Sequence, residues 1–100
     1  MPPVVTMVSA RIAPERVIEV IDGFMAAVRA GMPERRHTSL LRGEDDLWRI
    51  ITFWQNRSDL DHYLTSTDSP FATQLLENAG GQPTVEILEQ VRDNNATWWT

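Results

Sequence analysis

The apolar residues between Leu47 and Trp54 occupy both of the alternating positions that a β-strand provides. The segment is rich in β-branched and aromatic residues, which favour strands. Because successive side chains of a strand point to opposite faces, both faces of this strand need to be covered. We therefore expect a central strand that is buried on two sides.

A short helix is predicted directly after this strand. The polar residues 55–57 break the strand pattern, and Ser58 with Asp61 three residues later has the spacing of a helix N-cap. Apolar residues then recur at helical spacing, namely Leu60, Tyr63 and Leu64. We expect this helix to end near Thr67–Asp68.

A first strand over Val4–Ile12, with one apolar and one mixed face, precedes the longest predicted helix. Pro14 suits the first helical position, where a missing N–H costs nothing. Apolar residues then follow at the three-and-four spacing of an amphipathic helix: Val17, Ile18, Val20, Ile21, Phe24, Met25 and Val28. Gly31 is expected to cap the helix, and Pro33 prevents its continuation.

The rest of the chain predicts two more strands and one more short helix. Ser69 is expected to be the N-cap of that helix, with Pro70 in its first turn. The remaining segments are, in chain order, a weaker strand over Arg36–Arg42, a hairpin turn over Gly43–Asp46, the short helix ending at Gly80–Gly81 and a last strand over Thr84–Val91.

This order of elements predicts one domain over residues 1–100, with a core at about 4–91 and a tail at 92–100. Strand, helix, strand, strand, helices, strand is the split βαβ order of a ferredoxin-like α+β fold, with a four-stranded antiparallel sheet and helices on one face. The second face would expose Met7, Leu88 and three apolar residues of the third strand, so we expect a second copy to cover it. Trp98 and Trp99 are expected to dock on one of the two subunits.

Composition excludes several classes of function. The formal net charge of −5 argues against a nucleic-acid-binding protein. No apolar run approaches the length of a membrane span, and Met1–Val4 does not begin a secretory leader. The chain has no cysteine, which excludes disulfides, zinc thiolate sites and thiol nucleophiles and is typical of a cytoplasmic protein.

A degenerate motif gives the chain a family resemblance over roughly Val4–Val91. The chain begins with a strand VVTMVSARI and a helix that starts with proline. The motif follows: a tryptophan ends the third strand, a leucine lies six residues further on, and an aromatic residue and a leucine come next. These motif residues are Trp54, Leu60, Tyr63 and Leu64. The combination resembles the antibiotic-biosynthesis-monooxygenase group of dimeric α+β barrel proteins. The resemblance implies a homodimer with a ligand pocket between the sheet and the helices of each subunit.

The activities implied by the resemblance are of two kinds. Some members are oxygenases of polycyclic phenols and quinols that need no metal or flavin, and others degrade haem. Family members often carry histidine where Tyr63 stands here, and His62 lies one position away on the helix. The haem-degrading members place an axial histidine in the region that corresponds to Phe71–Leu76, and this sequence has none there. The resemblance therefore favours an enzyme without a cofactor over a haem-degrading one, and haem binding through another group stays as the less favoured alternative.

Three residues of the central region are candidates for binding or catalysis. Tyr63 can give a hydrogen bond or a proton to a phenolic substrate, or simply pack a helix on the sheet. Trp54 can stack on a planar ligand or act as a core tryptophan. Arg49 interrupts an apolar strand and needs a partner; an ion pair with Glu86 is favoured over an anionic ligand.

Weaker candidates complete the predicted site. His37, which shares a strand face with Ser39, is a possible general base or an ordinary surface histidine. Asn56 can orient a ligand carbonyl or belong to an ordinary connection, and Met7 and Leu88 complete the substrate-binding set. The two histidines without a matched carboxylate do not make a metal site.

The leading hypothesis is a cofactor-independent monooxygenase acting on a small phenol- or quinol-like aromatic compound. The protein would deprotonate the substrate and stabilise the anion, which reacts with dioxygen; Tyr63, His37 and Arg49 would handle protons and charge while Trp54 holds the ring. One alternative is a non-catalytic dimeric module that binds a small hydrophobic ligand. Another is an isomerase or cyclase on the same scaffold.

Overall fold

Strands and helices follow one another in the predicted order in a computed structural model, which describes residues 3–31, 37–68 and 70–92. Within those residues the elements are β1 (Val4–Arg11), α1 (Val17–Ala30), β2 (His37–Arg42), β3 (Leu47–Trp54), α2 (Arg57–Ser66), α3 (Phe71–Asn78) and β4 (Thr84–Glu89). The strands form one sheet in the order β2-β3-β1-β4, and every neighbouring pair is antiparallel. This topology confirms the predicted ferredoxin-like α+β fold.

The main core lies between one face of the sheet and the helices α1 and α3. Strand β3 lies between β1 and β2, as its two apolar faces predict. Trp48 and Ile50 of β3 are buried on the helix-covered face, where Val20 of α1 and Leu76 of α3 pack. The other face of the sheet, called the open face below, carries Phe53 of β3, which is 41% exposed. Burial therefore differs sharply between the two faces.

Most predicted element ends lie within two residues of the observed ones. β1 ends one residue before Ile12 and β4 two residues before Val91. Pro14–Arg16 form a single 3-10 turn that leads into α1. Gly31 ends α1 as predicted, with φ +81°, and its N–H donates to the carbonyl of Val28. Some predictions lie outside the described residues, namely those for Pro33, Arg36, Ser69, Trp98 and Trp99.

The predicted N-cap of α2 was wrong. Asn56, not Ser58, is the capping residue: its Oδ1 accepts hydrogen bonds from the Asp59 N–H at 2.9 Å and from the Ser58 hydroxyl at 2.8 Å. Asn56 and Asp59 have the same three-residue spacing that led us to Ser58 and Asp61, and an Asn side chain caps a helix as well as Ser does. The start of α3 also differs, because Pro70 is its N-cap residue rather than part of its first turn.

Candidate functional site

A cavity of about 400 Å³ lies between the helix-covered face of the sheet and the helices. Its floor comes from all four strands, and its walls come from the end of α1, from α2 and from the start of α3. The described residues that line it include no charged side chain. An apolar cavity of this size with a few polar groups is typical of a small-molecule site.

Trp54 closes one side of the cavity at the end of β3. Its side chain is buried, and the indole N–H donates a hydrogen bond to the Thr6 hydroxyl on the neighbouring strand, with 3.1 Å between Nε1 and Oγ1. The indole ring packs against the ring of Tyr63, with 5.3 Å between the ring centroids and a tilt of 38°. Both aromatic rings line the cavity. The structure therefore brings together the two aromatic residues that the sequence nominates.

Tyr63 is held in place by a backbone hydrogen bond as well as by Trp54. Its hydroxyl oxygen accepts the N–H of Phe71 at 2.8 Å. That N–H belongs to the first turn of α3, whose donors have no partner within the helix. Since an N–H can only donate, the phenolic proton of Tyr63 is not used in this contact. Tyr63 thus joins α2 to α3 and keeps a donor for a ligand.

Three threonines form a polar row on the cavity floor, which the sequence analysis missed. Thr38 pairs with Thr52, and Thr52 pairs with Thr6, so the three side chains lie side by side on β2, β3 and β1. The hydroxyls of Thr38 and Thr52 lie 3.0 Å apart. All three residues line the cavity. We call these three residues the threonine row; only the strand register reveals it.

Three other sequence candidates lie on the open face, across the sheet from the cavity. Met7, His37 and Leu88 line a wide depression there. The His37 ring packs on Phe53 at 5.9 Å between centroids, and its Nε2 lies 3.2 Å from the Ser39 hydroxyl. The sheet therefore separates these residues from Trp54 and Tyr63, so one bound ligand cannot contact both groups within one subunit.

Arg49 and Asn56 are both engaged in structural contacts. The Arg49 side chain also lies on the open face, where its Nε donates to the Ser9 hydroxyl at 2.8 Å. The expected ion pair with Glu86 is not formed between these two described residues. Asn56 uses its side-chain oxygen to cap α2 and does not line the cavity.

Shifts in pKa occur away from the cavity, at the start of α1. A hydrogen bond from the Arg16 guanidinium lowers the pKa of the Glu19 carboxyl, and the same contact raises the pKa of Arg16. Arg16 also donates to the carbonyl of Asn78 at 2.8 Å and so joins α1 to the end of α3. Both side chains are exposed, and the contact supports the packing of the helices rather than the site.

Within residues 3–31, 37–68 and 70–92, no three His, Asp or Glu side chains come together in a group able to hold a metal ion. Nor does any helix in these ranges have the length and apolar character needed to cross a membrane.

Several solved structures share the fold of this chain. SnoaB from Streptomyces nogalater, a cofactor-independent oxygenase, is 18% identical, with a TM-score of 0.70 over 95% of this chain and 99% of that chain. A Caulobacter crescentus protein provisionally assigned as an antibiotic biosynthesis monooxygenase is 19% identical, with a TM-score of 0.67 over 91% of this chain and 92% of that one. A further antibiotic biosynthesis monooxygenase is 18% identical, with a TM-score of 0.64 over 89% and 99%.

No protein-family model and no curated protein matches the chain. Structural likeness at such identities shows the fold. The resemblance noted from the sequence is confirmed at that level: this chain has the α+β fold of the antibiotic biosynthesis monooxygenases.

Proposed function

We propose that the protein is a cofactor-independent monooxygenase that binds a small planar phenol- or quinol-like compound in the cavity between sheet and helices. The observation that carries the proposal is the pair formed by Trp54 and Tyr63 in an uncharged cavity of ligand size. The shared fold with SnoaB, a cofactor-independent oxygenase, supports the reaction class.

In this proposal the two aromatic residues have different roles. Trp54 holds the ligand ring by aromatic packing, which suits a flat apolar compound. Tyr63 donates its free phenolic proton to a ligand oxygen and stabilises the negative charge that develops there. His37, Arg49, Met7 and Leu88 belong instead to the open face, where they contribute to contact with a second subunit.

The chemistry needs no electron source beyond the substrate. A polycyclic phenol has a keto tautomer with a CH₂ group, which loses a proton to give an anion delocalised onto the oxygen. The anion transfers electrons to dioxygen; one oxygen atom becomes a new carbonyl oxygen, and the other leaves as water with the two hydrogens of the CH₂ group. The protein supplies orientation and charge stabilisation.

The open face supports the further proposal that the protein works as a homodimer. Leu41, Phe53 and Leu88 are each more than 40% exposed on this face. Phe53 and Leu88 lie on either side of Val5, and the less exposed Met7 and Ile51 form the next pair along the strands, so these five apolar residues are contiguous. A contiguous apolar patch of this kind is typical of an interface, and a two-fold dimer is the commonest way to cover it.

One observation favours a second candidate, a module that binds a planar ligand without turnover. The described residues that line the cavity include no carboxylate and no imidazole that can take a proton from a substrate. A binding module needs the same apolar cavity and aromatic pair, but no base. The two candidates differ only in whether oxygen is consumed.

An oxygen electrode with anthrone as the substrate distinguishes them. We expect oxygen uptake above the buffer rate with the wild type, and a loss of roughly a hundredfold in kcat for Tyr63→Phe, as typical for a proton-donating group. Trp48→Phe is the matched aromatic control, since Trp48 is buried but does not line the cavity. Anthrone binding without oxygen uptake would favour the binding module, and the absence of binding would contradict both.

A further inference from the structure

The threonine row places three hydroxyl groups in a line across the cavity floor. Thr38, Thr52 and Thr6 face the same side of three adjacent strands. With neighbouring strands about 4.8 Å apart, their side chains span roughly 10 Å, which is comparable to the length of a two- or three-ring aromatic compound. The row therefore runs beneath the space that a planar ligand would fill.

Some of the hydroxyl protons around the cavity are not used in the hydrogen bonds that hold these side chains. Thr6 accepts the indole N–H of Trp54, so its own proton is not used in that contact. Thr38 and Thr52 share one hydrogen bond, in which only one of the two protons is used. Tyr63 accepts the N–H of Phe71 and likewise keeps its proton. The contacts of these four hydroxyls thus leave three O–H donors available around one uncharged cavity, and Thr73 of α3 adds a further hydroxyl to its lining.

The described lining also lacks a strong acceptor. Its side chains include no carboxylate and no imidazole, so the side-chain acceptors that a ligand N–H or O–H meets there are hydroxyl oxygens. A ligand oxygen, in contrast, meets several O–H donors whose oxygen atoms already take part in hydrogen bonds within the protein. Buried donors that find no acceptor cost free energy, so this arrangement favours ligands with carbonyl or anionic oxygens.

We propose that the threonine row and Tyr63 form a donor surface that selects aromatic ketones and quinones by their oxygen atoms. The inference rests on the proposed function for the location of the ligand, and it assigns recognition of the ligand oxygen to residues of the cavity floor that the proposed function does not use.

The test compares para-naphthoquinone with naphthalene, which has the same rings without oxygen. The chain has no cysteine, so no thiol consumes the quinone. The double variant Thr38→Val and Thr52→Val removes both partners of one hydrogen bond and keeps the side-chain shape, a change that is nearly neutral for stability. The corresponding double serine variant keeps both hydroxyls. Thr65→Val changes a hydroxyl on the exposed side of α2 and serves as the control.

Calorimetric titration gives the ratio of the two dissociation constants for each variant. We expect the preference for the quinone over naphthalene to fall about tenfold in the double valine variant, the effect of losing one good hydrogen bond. The double serine variant and Thr65→Val should keep the wild-type ratio. An unchanged ratio in the double valine variant would overturn the donor surface, while oxygen uptake with anthrone would still stand as evidence for the proposed function.

A second measurement needs no variant. The infrared carbonyl stretch of the quinone bound to wild-type protein should lie at lower frequency than in hexane, because hydrogen bonding weakens the C=O bond. A bound quinone with the hexane frequency would also overturn the donor surface. If neither naphthalene nor the quinone binds, the cavity is not a ligand site and the proposed function fails with this inference. A normal quinone preference without oxygen uptake from anthrone would contradict only the monooxygenase.

Discussion

The indole N–H of Trp54 is a buried donor, and its partner is the Thr6 hydroxyl on the cavity floor. Thr6→Val removes that partner and leaves the N–H buried and unpaired, so we expect the free energy of unfolding to fall by about 1–3 kcal/mol. Once Trp54→Phe has removed the N–H, the same valine substitution should cost about 1 kcal/mol less, because nothing is left unpaired. Urea unfolding of the two single variants and the double variant measures this coupling.

Additive effects in that cycle would contradict the hydrogen bond. Thr84→Val is the matched strand control: it changes an exposed threonine on the open face of β4, and it should be within about 0.5 kcal/mol of the wild type.

At this scale the sequence predicts the aromatic residues of the site but not its polar floor. Trp54 and Tyr63 are recognisable because one ends a strongly patterned strand and the other follows at helical spacing. Both faces of β3 are apolar, so its pattern cannot tell which face lines the cavity. The sequence therefore predicts one site for His37, Arg49 and residues that lie on the other side of the sheet. The threonine row depends on the register of three strands, which no local pattern contains.

The start of α2 provides a test at the scale of elements. Asn56→Ala removes the side-chain acceptor of the Asp59 N–H, and we expect a loss of about 1 kcal/mol in unfolding free energy, the usual cost of losing an N-cap. Ser58→Ala should change it by less than about 0.5 kcal/mol, although the sequence favours Ser58 as the cap. Equal losses for the two variants, measured by urea unfolding, would contradict the observed cap.

The Arg16–Glu19 contact at the start of α1 gives a pH-dependent prediction. Because the guanidinium hydrogen bond lowers the pKa of the Glu19 carboxyl, the stabilisation exists above the unfolded-state pKa and is lost as the pH falls through the folded-state value. A carbon-detected NMR titration should show the pKa of the Glu19 carboxyl below its ordinary value. In Arg16→Gln the Glu19 pKa should return towards its ordinary value; no change would contradict the pairing.

Element boundaries were predictable because the chain marks them with specific residues. Gly31 ends α1 in a backbone conformation that favours glycine, and the turn over Gly43–Asp46 joins β2 to β3 as expected. The error at α2 arose where two candidate caps, Asn56 and Ser58, each lie three residues before an aspartate. Local spacing cannot distinguish between them, because the position of the cap depends on where strand β3 ends.

At the scale of the molecule, the open face predicts self-association. Sedimentation equilibrium should show a dimer, and Phe53→Glu should shift it to monomer by placing a charge on the apolar patch. Ile18→Glu is the matched control, because Ile18 is 60% exposed on α1, away from the sheet. Its sedimentation should remain that of a dimer. A wild-type monomer at micromolar concentration, or equal effects of both variants, would contradict an interface on this face.

The measurement that tests the central claim most directly is a titration of the four indole N–H signals by NMR with anthrone. The signals of Trp54 and Trp48 are assigned by Trp54→Phe and Trp48→Phe. A ligand between sheet and helices contacts Trp54, so its signal should shift with saturation while that of Trp48 stays in place. An unchanged Trp54 signal in protein saturated with anthrone would contradict the assignment of the cavity as the functional site.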